Sequence, residues 1–151
     1  MAAGAGTGLI VLGWREWVAL PALGIAAIRA KVDTGARSSS LHVDRLATFE
    51  RDGTEWVRFS IDTGVDGAPE ASAEAPVADR RPVTDSGGHT TRRIFIRTRL
   101  ALAGADYEIE INLTNRRNML FPMLLGRTAL ARRFLVDAAH SFLQGDPPPL
   151  R

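Results

Sequence analysis

Apolar and polar residues alternate with a period of two along much of this chain, the spacing of strands that bury one face. Residues 56–61 (WVRFSI), 93–102 and 107–113 carry this alternation, and the Ala-Gly-Ala-Asp break at 103–106 between the last two predicts a hairpin turn. Ile25–Val32 is an apolar-rich run interrupted by Arg29 and Lys31, and a further strand is expected over 77–83. DSGGH at 85–89 reads as a turn, because glycine admits backbone conformations that other residues resist. The Gly-, Ala-, Pro- and acid-rich segment 63–76 predicts a mobile loop. Helical signal is confined to one short helix over 127–133, followed by an FLVD strand at 134–137. The expectation is a mainly β protein built around an antiparallel sheet.

With 151 residues and 45% hydrophobic content, the chain can fill one core but not two. A single domain over 10–143 is expected, with flexible tails at 1–9 and 144–151. No internal repeat of useful length occurs. Cysteine is absent, which removes disulfides, thiol nucleophiles and thiolate metal sites from consideration. The opening MAAGAGTGLIVLGWREW lacks a basic segment before its apolar run, and no stretch approaches the ~18 apolar residues that a membrane-spanning helix needs. A cytoplasmic location without membrane attachment is therefore expected.

The net charge is only +2, yet Lys31 is the single lysine among 19 basic residues, and arginines pair at 80–81, 92–93, 116–117 and 132–133. Arginine forks grip carboxylates and phosphates in bidentate geometry, which suits an acidic peptide or a nucleic acid; solvated strand faces explain them equally well. Aromatic content of 7% leaves little for base stacking, so nucleic acid ranks last among partners.

Asp-Thr-Gly occurs twice, in KVDTGARSSS at 31–40 and in RFSIDTGVDGA at 58–68. A catalytic carboxylate on such a loop needs a buried strand before it, a glycine that allows a tight turn and a small residue after it. Asp33, Thr34, Gly35 and Ala36 satisfy all three, whereas Gly64 opens into a polar loop, so Asp62 reads as a strand-end turn residue. Two catalytic lobes in one chain would each exceed the 29 residues between the two aspartates, so the copies are not a dyad.

The ordered set GWREWVALPALGI at 13–25, AKVDTGARSSSLH at 30–42, INLTNRRNMLFPMLLGRTAL at 111–130 and FLVD resembles the retropepsin-type aspartic peptidases. It is most similar to a bacterial family that carries the label "ATP-dependent zinc protease". The resemblance covers roughly residues 10–143. It implies a closed β-barrel with a flap hairpin, and a homodimer in which each chain donates one Asp33. Thr34 would cross-link the two catalytic loops, and Leu124, Leu125 and Gly126 would thread beside them. Arg127 would brace the subunit through an ion pair. Ser86, Gly87 and Gly88 fall where the flap tip lies.

The sequence departs from the retroviral pattern at Arg37, where an acid is usual; a cation there would lower the dyad's pKa values and could hold an acidic substrate side chain. It departs from its own family's pattern at Asn115, where the resemblance implies Asp. Only His42, His89 and His140 could offer imidazole to a metal, and they form no metal-binding spacing, so no metal or other cofactor is expected. GAGTG at 4–8 lacks the lysine of a phosphate loop. The family resembles proteins encoded beside ATP-grasp ligases that add glutamates to protein tails. This implies an endopeptidase for glutamate-rich or glutamylated tails, with Arg37, Arg92, Arg93, Arg116 and Arg117 around the cleft. The rival expectation is a non-catalytic module that binds acidic tails as a ligase accessory. A monomer using Asp44, Asp62 or Asp137 as a second acid also stays open.

Overall fold

The protein is described from a computed structural model, which places residues 8–115 and 120–146. Twelve strands and one short helix follow in order. They are β1 (Ile10–Gly13), β2 (Arg15–Leu20), β3 (Ile25–Val32), β4 (Ser39–His42), β5 (Asp44–Arg51), β6 (Thr54–Ile61), β7 (Ala71–Pro76), β8 (Asp79–Thr84), β9 (Thr90–Leu102), β10 (Ala105–Thr114), β11 (Met123–Leu125), α1 (Arg127–Leu130) and β12 (Phe134–Asp137). No described helix is long and apolar enough to cross a membrane.

Six strands form a ring. The ladder runs β10-β4-β11-β3-β2-β9, and β9 pairs again with β10, while β8 extends outward from β9. The seam between β2 and β9 is narrow, a single register pair at Ala19 and Ala101. Leu20, Ile25, Ile28, Leu41, Ile96, Leu100, Ile111, Met123 and Leu125 are almost wholly removed from water inside this ring. Each such side chain contributes about 1.5–3 kcal/mol through apolar burial. A separate antiparallel sheet, β5-β6-β7, turns Val57, Phe59, Ile61, Ala73 and Ala75 onto the same core.

The alternating segments become β6, β9 and β10, and the residues they turn onto the core are mostly apolar, as the period of two requires, with Thr98 among them; Arg93 and Asn112 are buried on the other face of β9 and β10. Four expectations need correction. The loop expected over 63–76 ends in β7, whose six residues pair with β6 from Ile61↔Ala71 to Trp56↔Pro76. Small Ala and Ser residues there hide the strand pattern but fit against the core. The strand expected over 77–83 is β8, shifted to Asp79–Thr84. The helix stops at Leu130, because Ala131 is extended and Arg132 takes a positive φ of 68°. The sheet is also not purely antiparallel: β10–β4, β11–β3 and β1–β12 are parallel pairs.

Glu16 ties the two ends of the described chain together. Fully buried, its carboxylate accepts hydrogen bonds from the backbone N–H groups of Gly13 (2.7 Å), Leu143 (3.0 Å) and Gln144 (3.1 Å). The side-chain amide of Gln144 donates to the Val11 carbonyl at 2.9 Å, so order persists into the segment expected as a tail.

Candidate active site

The first Asp-Thr-Gly sits where β3 leaves the barrel. β11 lies between β3, to which it is parallel, and β4, to which it is antiparallel; Leu124 faces Lys31 on one side and Ser40 on the other. The two arms of the Asp33 loop therefore flank a single short strand. The Asp33 N–H donates to the Leu125 carbonyl at 2.9 Å, and its own Oδ1 accepts from the Gly35 N–H at 2.9 Å, which closes the turn. Asp33 is half-buried, while Thr34, Gly35 and Arg37 are exposed and Ala36 is half-buried.

The residues after β11 satisfy the loop's carbonyls one after another. The Gly35 carbonyl accepts from Arg127 Nη1 (3.2 Å), the Ala36 carbonyl from the Arg127 N–H (2.7 Å), and the Arg37 carbonyl from both the N–H (3.2 Å) and hydroxyl (2.8 Å) of Thr128. Gly126 permits this approach: a Cβ there would stand 2.5 Å from the Ser38 carbonyl. Its N–H donates to Ser39 Oγ at 3.1 Å. Residues 125–128 thus hold the backbone of the loop, whose own Gly35 N–H fixes the half-buried Asp33 carboxylate.

The second Asp-Thr-Gly makes the same local turn, with the Gly64 N–H donating to Asp62 Oδ1 at 3.0 Å. The surroundings differ. Asp62 is exposed, and the Thr63 carbonyl accepts from the N–H of Arg29, four residues upstream of Asp33 on β3. The turn chemistry belongs to the tripeptide; the clamp belongs only to Asp33.

A model of the retropepsin-like aspartic endopeptidase family named RimB-like matches residues 11–147. The chain belongs to that family. Relatives called probable alpha-L-glutamate ligase include one from Desulfotalea psychrophila, 42% identical over 85% of this chain and 28% of its own length. One from Shewanella pealeana is 40% identical over 90% of this chain and 30% of its own length. This RimB-like chain therefore spans less than a third of those ligases. A solved Legionella pneumophila protein of unknown function superimposes with a TM-score of 0.72 at 28% identity, covering 89% of this chain and 97% of that one.

The other expected site residues of this RimB-like chain fall into three groups. Ser86, Gly87 and Gly88 form the exposed tip of the β8–β9 hairpin, where the Asp85 carboxylate accepts from the N–H groups of Gly87 (2.9 Å) and His89 (3.0 Å). Arg92 is exposed beside them. Arg93, expected at the cleft, is buried, and its guanidinium donates to Asn112 of β10. Arg116 and Arg117 lie outside the described residues. Arg127, expected in an ion pair, hydrogen-bonds the Gly35 carbonyl and forms no ion pair among the described residues of the chain.

Other arginines are consumed structurally. Arg81 bonds Glu110 (2.7 Å) and Asp79 (2.8 Å) and lies 4.0 Å from the centre of the Phe95 ring, while Arg80 bonds Glu55. The Glu110 hydrogen bond raises the pKa of Arg81, and the Arg80 hydrogen bond holds Glu55 below its ordinary value. No group of three or more potential metal ligands exists among the described residues; His89 and His140 each lie near an aspartate of their own turn, Asp85 and Asp137. Ser39, Ser40 and Asn112 on the strands and Thr128 on α1 carry the loop, yet nothing in the sequence marks them beyond a polar side chain.

Proposed function

We propose that two copies of this chain pair about a twofold axis and that each contributes one Asp33 to a peptidase dyad. Two carboxylates about 3 Å apart share one proton and titrate as a pair. The ionised member removes a proton from water, whose oxygen attacks the peptide carbonyl, while the protonated member donates to the developing oxyanion. Collapse of the tetrahedral intermediate breaks the C–N bond as a proton passes to the leaving nitrogen, with no covalent enzyme intermediate. In this reading Thr34 bonds the partner loop, a role that its exposure beside Asp33 supports. The β8–β9 hairpin acts as the flap that covers substrate and excludes water.

The observation that carries this reading is the clamp on Asp33, in which residues 125–128 bond the loop at Asp33, Gly35, Ala36 and Arg37. General base catalysis needs its carboxylate held rigidly, and that need explains so many bonds to one turn. The substrate class is an acidic, glutamate-rich or glutamylated protein tail, supported by exposed Arg37 and Arg92 and by relatives named as glutamate ligases. The same names support a functional link to a glutamate ligase of the ATP-grasp type. Those names also favour a second reading, in which the domain binds acidic tails without cutting them.

Hydrolysis of poly-glutamate by the protein and by Asp33→Asn, with and without chelator from pH 4 to 8, separates the two. Cleavage that survives chelator and disappears in Asp33→Asn is the expected result. Retained binding without cleavage by either protein overturns the peptidase reading in favour of the binding module.

A further inference from the structure

A chain of polar side chains, exposed only at Thr91 and buried from Arg93 onward, runs from the β8–β9 hairpin to the Asp33 loop. Arg93 lies on the face of β9 that also carries Phe95, opposite to the one that turns Ile96, Leu100 and Leu102 into the core; it is in register with Arg81 of β8, and only 8% of it is exposed. Its Nε donates to Thr91 Oγ1 at 3.0 Å on the hairpin side, and its Nη1 donates to Asn112 Oδ1 at 2.9 Å on β10. Asn112 is fully buried; its Oδ1 also accepts from Ser40 Oγ at 3.0 Å, and its Nδ2 donates to the Ser39 carbonyl at 2.9 Å. The Ser39 hydroxyl accepts the Gly126 N–H, and Gly126 leads into the two residues that satisfy the carbonyls of Gly35, Ala36 and Arg37.

We propose that Arg93 is a positioning residue that couples the hairpin to the loop bearing Asp33, so that the two keep one relative placement. The guanidinium fork suits this task, because its rigid plane reaches two acceptors on different strands at once; a lysine ammonium on a flexible stem does not. Asn112 admits a single amide orientation, since a flipped amide would set its NH2 against the Arg93 guanidinium, which can only donate, and its oxygen against the Ser39 carbonyl. Inside a low-dielectric wall such a network is stable when complete and costly when one member is lost, so displacement at one end is transmitted rather than absorbed. The proposal rests on the peptidase reading for its catalytic consequence, but the coupling itself does not require catalysis.

Hydrogen exchange tests the coupling in Arg93→Lys, which attacks the network from the hairpin, and Ser40→Ala, which attacks it from the loop. Amides of residues 85–92 and of residues 34–38 are expected to exchange several-fold faster together in both variants. Faster exchange in the segment next to the mutation alone, with the other at the wild-type rate, overturns the proposal. Should Arg93→Lys fail to fold, Thr91→Val removes only one hydroxyl and takes its place. In peptide hydrolysis the coupling predicts a kcat lowered roughly tenfold to a hundredfold with KM little changed. A raised KM at unchanged kcat would make Arg93 a binding residue and also overturn it. A wild-type protein that cleaves nothing defeats the peptidase reading while leaving the exchange result to be judged alone.

Discussion

Gly126 passes so close to Ser38 that a Cβ on the glycine would lie 2.5 Å from both the carbonyl carbon and the carbonyl oxygen of Ser38 and 2.9 Å from the Arg37 carbonyl carbon. All three atoms are backbone, so the conflict cannot be relieved by turning a side chain. Gly126→Ala is therefore expected to destabilise the fold by about 1–3 kcal/mol, as an overpacked core does, and to lower activity further by shifting the Asp33 loop. Urea unfolding checks the first effect; an unchanged midpoint would contradict the close approach.

Arg37 is exposed, follows the Asp33 turn and has no ion-pair partner among the described residues. Arg37→Gln should raise KM for an acidic peptide several-fold and leave a neutral peptide of equal length nearly unchanged. The acidic preference of the wild type should also shrink between low and high salt, because exposed charges are screened beyond about 10 Å at 0.1 M. Equal KM changes for both peptides would remove Arg37 from recognition.

Glu74 on β7 receives hydrogen bonds from Arg51 (2.8 Å) and Arg58 (2.7 Å), which hold its carboxyl below the ordinary 4.5. A carboxyl with a lowered folded-state pKa stabilises fully above its unfolded value and loses that contribution as pH falls through the folded value. The stability gap between wild type and Glu74→Gln is thus expected to be widest near neutrality and to shrink as the pH falls from 4.5 through the lowered folded-state value. Because the pair is solvent-exposed, the gap should be small and should narrow with added salt. Thermal melts at pH 7 and pH 3 check this, and a gap that widens in acid would reverse the sign.

Much of the fold was legible because alternation survives wherever a strand buries one face, as in 56–61, 93–102 and 107–113. It failed where burial is polar or absent. β4 is SSLH, three of whose four residues are buried, and its serines are inside because Asn112 and Gly126 bond them. β5 is exposed along nearly its whole length and shows no inward phase. The Asp33 loop could be located from its tripeptide, but the tripeptide alone could not distinguish it from the turn at Asp62, which makes the same hydrogen bond. The burial of Arg93 was not legible either: it shares a strand face with exposed Arg97 and Arg99, and its bond to Asn112 on β10 cannot be read from either segment alone. Ser39, Ser40 and Asn112 were invisible for the same reason, since their bonds are made between residues far apart in sequence.

The central claim is that one active site takes a single Asp33 from each of two chains, and subunit mixing tests it most directly. Wild type and Asp33→Asn, co-refolded in equal amounts and assayed on an acidic peptide, are compared with wild type at the same total chain concentration. If the site is shared, only wild-type pairs act, and activity falls to about a quarter. Activity of about a half would mean that each chain works with its own Asp33, and would contradict the shared dyad.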